Sequence, residues 1–337
     1  MSQFKDNFEA HWMVPGGMRQ TVASIFWPQI STPAGSVTRV AVPIGTEGNL
    51  SVVLNRPEAW ENGQRIVLLV HGLTGSEEST HPVRLADAFV RRGFLAIRMN
   101  MRGCGPGEGL SRGIYHSGRS EDTRAVLEWI GKNFPGSPVV QVGISLGGNA
   151  TLKMAGEYGS KVPDFLQGVV AVSAPIDLAA CSKRLSEDKN RLVDLYFANN
   201  LLSHVQRQSE LYPDLVAQLP SSLKSGRKSL AKFDDLYVAP TCGFGDGPNY
   251  YKLCSARPLV PDISCPALLL TAEDDPIVPV EAYLTIPSNH LHNVVITKRG
   301  GHAAYISSKL DEEFGRFWMD GLIVRWVMNL GSGSKGM

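Results

Sequence analysis

The apolar residues of this chain gather in short, nearly unbroken runs. They occupy positions 66–70, 94–97, 139–142, 169–172, 267–270 and 294–296, rich in Val, Ile and Leu at consecutive rather than alternate positions. A strand with one wet face shows a period of two, so runs without that alternation predict strands buried on both faces, as in a parallel sheet covered on each side. Stretches of helical periodicity lie between them, at 82–91, 122–132 and 148–158, and another at 312–328 ends the pattern. Two further strands, 37–42 and 50–54, flank Gly45-Thr46-Glu47-Gly48-Asn49 and read as a hairpin. Alternating strands and helices predict an α/β fold around one mostly parallel sheet.

One interval breaks the rhythm. The stretch from Val172 to Ala267 far exceeds the dozen or so residues that a crossover needs. It carries helical patterns at 189–202 and 199–211 and few β-branched runs. The chain therefore divides into a core of residues 1–177 and 263–330, a helical cap inserted at 178–262, and a Gly/Ser-rich flexible tail at 331–337. Ligands of open α/β sheets bind beyond the carboxyl ends of the strands, which is where such an insertion leaves the sheet. The competing expectation is a decorative insertion packed away from any site.

The chemistry concentrates at those same strand ends. Gly143-Ile144-Ser145-Leu146-Gly147 follows the run at 139–142 and precedes a helical pattern. Glycines two before and two after a serine permit a very tight strand-to-helix turn that exposes the hydroxyl. The bare pattern arises readily by chance, but the strand–turn–helix frame is the context it requires. Serine needs a base. Among eight histidines, His302 stands in Arg299-Gly300-Gly301-His302-Ala303, a glycine-flexible loop after the last parallel run. His71 ends a strand and shapes the loop after it, while His11, His81, His116, His204, His290 and His292 default to surface or capping roles. The base in turn needs a carboxylate. Asp274 and Asp275 both follow the run at 267–270; Asp275, which precedes a proline and an apolar pair, is the better candidate, with Asp274 capping or pairing beside it. Chain order is then Ser145, Asp275, His302. An oxyanion needs two amide donors. Leu146, just after the serine, supplies one, and Leu73 in His71-Gly72-Leu73-Thr74-Gly75 the other. Within the insertion, Leu201, Phe244 and Tyr250 are the leading candidates to line an acyl pocket. The glycine-rich 102–109 fits neither dinucleotide nor Walker patterns and reads as a structural loop.

Composition narrows the classes further. The chain has 337 residues, 43% hydrophobic and 19% charged, with a formal net charge of +1. That leaves no field to gather nucleic acid or anionic lipid. No run is long enough for a membrane span, and the start of the chain lacks the apolar core of a signal peptide. Five cysteines at scattered spacing, with no Cys-x-x-Cys pair, predict reduced thiols, a cytoplasmic location and no metal site. Nothing calls for a cofactor.

Together these blocks resemble the YheT-like branch of the α/β-hydrolases, bacterial relatives of membrane-anchored animal lipid hydrolases. The resemblance rests on 71–75, Asn100-Met101-Arg102-Gly103-Cys104, Tyr115-His116-Ser117-Gly118, 143–149, Ser173-Ala174-Pro175, Phe233-Asp234-Asp235-Leu236, Tyr250-Tyr251, Asp274-Asp275-Pro276 and Gly300-Gly301-His302. It implies a serine hydrolase with a helical cap and supports Ser145, Asp275 and His302 as a triad. The function expected is hydrolysis of short- to medium-chain acyl esters through an acyl-enzyme. Thioester or lipid acyl hydrolysis by the same residues is the alternative. A third reading is a binding protein on the same fold. Dehalogenase or epoxide hydrolase chemistry would want aspartate where Ser145 stands.

Overall fold

The computed structural model describes residues 7–28, 32–213, 219–224 and 228–330. Its centre is an eight-stranded sheet in the order β1-β2-β4-β3-β5-β6-β7-β8. The strands are β1 (Ser36–Pro43), β2 (Asn49–Arg56), β3 (Ile66–Val70), β4 (Leu95–Met99), β5 (Val139–Ile144), β6 (Leu166–Val172), β7 (Ala267–Ala272) and β8 (His292–Thr297). The β1–β2 hairpin and the β2–β4 pairing are antiparallel, and every other pairing is parallel. Burial follows position. All residues of β3, β4, β5 and β7 are buried, whereas most of the edge strand β1 is exposed. The unbroken apolar runs thus mark the strands covered on both faces.

Helices α1 (Gly17–Phe26), α2 (Thr80–Val90), α3 (Ser120–Asn133) and α4 (Leu146–Tyr158) precede the insertion. Within it come α5 (Leu178–Leu185), α6 (Arg191–Leu211), α7 (Leu230–Phe233) and α8 (Gly247–Cys254), and α9 (Trp318–Asn329) follows β8. The two overlapping helical patterns at 189–202 and 199–211 are one helix, α6. The expected helix at 312–328 begins later. Residues Ile306–Asp311 and Gly315–Phe317 form a separate hairpin, β9–β10. Asp311 there accepts from the Glu313 and Phe314 amides, and Gly315 takes a positive φ, so the turn chemistry overrides the helical period. Helix α1 escaped the pattern because it buries polar rather than apolar residues. Gln20 is fully buried and bonds both the amide and the carbonyl of Ile306.

Between β6 and β7 the described chain contains helices and turns and no strand. Several side chains tie it to the core, among them Tyr250, Asn190 and Tyr212 of the insertion and Asn149 of the core. Asn149 of α4 donates to the carbonyls of Ser117 and Cys254 and accepts from the Ala256 amide, all within 2.9 Å. The tail at 331–337 lies outside the described residues.

Candidate functional site

Ser145 sits where β5 turns into α4, with φ 52° and ψ −118°. A non-glycine residue held there costs on the order of 1–3 kcal/mol, which surrounding structure must enforce. The glycines do so by letting backbone approach backbone. A Cβ on Gly143 would lie 2.2 Å from the Gly147 carbonyl oxygen, and one on Gly147 would lie 2.5 Å from the carbonyls of both Val70 and His71. Strain of this kind gathers around the serine. The five positive-φ residues other than glycine among the described residues are Thr74, Ser145, Ser173, Ala303 and Tyr305, all on loops leaving the carboxyl ends of parallel strands.

These loops bring three side chains from distant parts of the sequence into line. Ser145 Oγ is 2.8 Å from His302 Nε2. On the other side of the ring, His302 Nδ1 is 3.0 Å from Asp275 Oδ2. Asp275 is 1% exposed, and its Oδ1 also accepts from the amides of Ile277 and Val278. Those two bonds fix the carboxylate, which in turn favours the ring tautomer with its proton on Nδ1 and leaves Nε2 free to accept from the serine. Asp274 points elsewhere. Its Oδ1 accepts from the Gly301 amide at 2.9 Å and so holds the loop that carries His302. That loop is further pinned by Thr21 of α1, whose hydroxyl accepts from the His302 amide, and by Ser173, which accepts from Ala303.

Leu146 opens α4, so its amide is one of the unpaired donors at a helix N-terminus. Leu73 lies on the loop after β3, and both residues line the same cavity as Ser145. Gly72 in that loop is close enough that a Cβ would stand 3.2 Å from the Ser145 Cβ. His71 anchors the loop's base. Its Nδ1 donates to the Gly72 carbonyl and its Nε2 accepts from the Met101 amide. Both ring nitrogens are committed, and burial pulls the imidazole down to about 4. It is a structural neutral histidine.

The cavity over Ser145 holds about 70 Å³ and is walled mainly by apolar side chains from the inserted helices, among them Leu185, Phe197, Leu201 and Phe233. Leu201 and Tyr250 stand in its wall. Phe244 lies one layer back, its ring 5.2 Å from that of His116 and 5.3 Å from that of Tyr250. Tyr250 is tied to the core by two bonds with Ser117. No group of three or more His, Cys, Asp or Glu side chains placed to hold a metal occurs among the described residues.

Residues 65–309 match the family model described as the alpha/beta hydrolase fold. The chain belongs to the α/β-hydrolase family. Within it the chain falls in the branch of YheT from Escherichia coli (strain K12), to which it is 30% identical across 92% of this chain and 86% of that one. It is 28% identical to the mouse protein named phospholipase ABHD3, over 71% of this chain and 58% of that protein. Identity is 27% to the monoacylglycerol lipase of Saccharomyces cerevisiae, over 77% and 58%. Among solved structures, the Pyrococcus furiosus esterase Pf2001 superposes with a TM-score of 0.53 at 19% identity, covering 89% of this chain and 98% of that one. That likeness concerns the fold. By this kinship the chain is a serine hydrolase.

Several α/β-hydrolase residues around the serine carry no signal of their own in a single sequence. Thr21 and Ser173 act through backbone contacts that only the fold creates. His81 is another. Its Nε2 meets the Ala303 carbonyl at 2.7 Å, and burial pulls it down to about 3, so it props the His302 loop as a neutral ring. His204, expected at the surface, is 6% exposed, and His116 is half-buried against Phe244 and Tyr250. Histidine's apolar ring lets it serve as packing once burial keeps it neutral.

Proposed function

We propose that this hydrolase cleaves carboxylic acyl esters of short to medium chain length with Ser145 as nucleophile, His302 as general base and Asp275 as its orienting partner. The observation that carries the reading is the continuous relay from Ser145 Oγ through His302 to Asp275, at 2.8 and 3.0 Å, opening on an apolar cavity. Serine attacks the ester carbonyl as His302 takes its proton, and the amides of Leu146 and Leu73 receive the developing oxyanion. His302 then protonates the leaving alcohol. Water, activated by the same ring, releases the acid from the acyl-enzyme. Every step uses side chains and amides of this chain.

Residues 178–262 act in this reading as a cap that supplies the acyl-binding wall, with Leu201 and Tyr250 in contact and Phe244 supporting Tyr250. A narrow apolar cavity favours a modest acyl chain, each buried methylene contributing about 0.8 kcal/mol until the wall is reached. The relatives named phospholipase and monoacylglycerol lipase favour a lipid acyl ester as the second reading. No helix among the described residues is long and apolar enough to cross a membrane. All five cysteines are unpaired, four of them buried, which suits a reducing, cytoplasmic setting. The test is a panel of p-nitrophenyl esters from acetyl to palmitoyl. Turnover should peak below about ten carbons, where the narrow wall ends burial gains. A rate that still climbs at palmitoyl would replace this reading with the lipid one, and no turnover of any ester would remove both.

A further inference from the structure

The cavity over Ser145 contains one carboxyl group that the hydrolytic relay leaves unused. Asp234 stands in its wall, 8% exposed, among Leu201, Leu230, Phe233 and Val238. An acid in an apolar pocket is costly unless something pairs with it. Here the pairing is partial. Asp234 Oδ2 accepts from the Tyr251 hydroxyl at 2.9 Å, and Tyr251 is itself 3.0 Å from Ser182 Oγ. No protein donor reaches Oδ1 among the described residues, and no basic side chain is salt-bridged to Asp234. Asp194, the other acid close enough to act on it, adds repulsion rather than relief.

The backbone around Asp234 is unusual as well. Residues Asp234–Val238 form a π-helical turn between α7 and the short helix Ala239–Thr241. The wider turn puts Phe233, Asp234 and Val238 in the cavity wall together. Such turns are rare and tend to occur at functional sites, because they give up regular hydrogen bonding to re-aim side chains. A buried, half-paired carboxyl delivered by a re-aimed turn is an arrangement for recognising a polar group on an otherwise apolar ligand.

We propose that Asp234 is a specificity-determining residue that hydrogen-bonds a hydroxyl group on the acyl chain, so that the preferred substrates are esters of hydroxylated fatty acids. The proposal rests on the ester-hydrolase reading above. A hydroxyl suits the site better than an ammonium. Burial pushes the Asp234 carboxyl up to about 7, so near neutrality the group is part protonated and able both to donate and to accept. A cationic ligand would demand the fully charged form and would itself have to be desolvated.

The experiment compares p-nitrophenyl esters of one chain length, octanoate against its hydroxylated forms with the hydroxyl at successive carbons. Wild type, Asp234→Asn and Asp234→Leu are measured alongside each other. Wild type should favour one hydroxyl position by about ten-fold in kcat/KM, the order that a hydrogen bond to a partly charged group supports. Asp234→Leu should bring that ratio to about one. Asp234→Asn, nearly the same shape and able to keep the Tyr251 contact, should retain part of it and guards against a misfolded leucine variant. Equal rates for plain and hydroxylated esters in wild type would overturn the proposal, as would a preference that survives in Asp234→Leu. A preference for amino-substituted chains would replace it with a cation site. Turnover of plain octanoate and labelling of Ser145 by a phosphonate are followed throughout. Their loss in wild type would bring down the hydrolase reading, whereas their presence without a hydroxyl preference brings down this proposal alone.

Discussion

Two adjacent aspartates differ in what they touch, and exchanging each for asparagine should separate them by orders of magnitude. In Asp275→Asn, the side-chain oxygen can still accept from the Ile277 and Val278 amides, which keeps the fold. The new amide nitrogen then faces His302 Nδ1, where the carboxylate stood at 3.0 Å. An amide donor there draws the ring lone pair onto Nδ1 and places the proton on Nε2. That nitrogen can no longer accept from Ser145 Oγ, 2.8 Å away. Loss of the orienting acid in this manner lowers kcat by about 10⁴, or about 5 kcal/mol in the barrier. In Asp274→Asn, the change weakens one charge-assisted bond to the Gly301 amide. That costs about 1–2 kcal/mol at most, or about ten-fold if all of it reaches the transition state. The assay is kcat/KM on p-nitrophenyl hexanoate, with thermal melting to confirm that both variants fold. Equal losses in the two variants, or a loss in Asp275→Asn below a hundred-fold, would refute the assignment.

Three further outcomes are expected. Gly147→Ala places a methyl 2.5 Å from two carbonyl oxygens, so it should cost about 2 kcal/mol or more and abolish ester turnover by shifting the serine turn; a variant with unaltered melting and rate would show that the close approach is unimportant. Acid should destabilise the protein through its buried neutral histidines. The folded-state value for His71 is about 4 against an ordinary 6.5, so only the unfolded chain binds that proton between those limits, and stability falls as pH drops from about 6.5 to about 4, by about 3 kcal/mol for this group; a urea midpoint that stays flat from pH 7 to 4.5 would contradict it. Leu201→Ser should shift the acyl-length profile toward shorter chains, whereas Phe244→Ser, one layer back, should lower the melting temperature and leave the profile in place; the reverse result would move the acyl wall.

Much of the architecture is legible in the sequence because interior parallel strands leave a strong trace. Ile66–Val70 and Ala267–Ala272 are buried on both faces, and their apolar runs say so directly. The serine turn is equally readable, since the close backbone approach at Gly143 and Gly147 admits no other residue without a shift. What escapes is structure held by polar contacts or by chemistry at a turn. Helix α1 turns Gln20 inward, against the rule that periodicity reads, and the β9–β10 turn is set by Asp311 rather than by any hydrophobic pattern. In the insertion, helical periodicity predicts α6 but cannot say which residues meet the cavity. Phe197 and Phe233 stand in its wall while Phe244 does not, a distinction made by the π-helical turn and by α8 packing. The sequence favours Asp275 over Asp274 only through Pro276 and the apolar pair after it; that Asp274 holds the Gly301 amide is visible only in the fold.

Covalent labelling is the sharpest test of Ser145 as the activated nucleophile. The folded protein is treated with a fluorophosphonate, and the adduct is located by peptide mass mapping. One adduct per chain is expected, on Ser145, formed fast in wild type, slowly in His302→Ala and not at all in Ser145→Ala. A folded protein that takes up no phosphonate, or one labelled at another residue while Ser145 stays free, would contradict it.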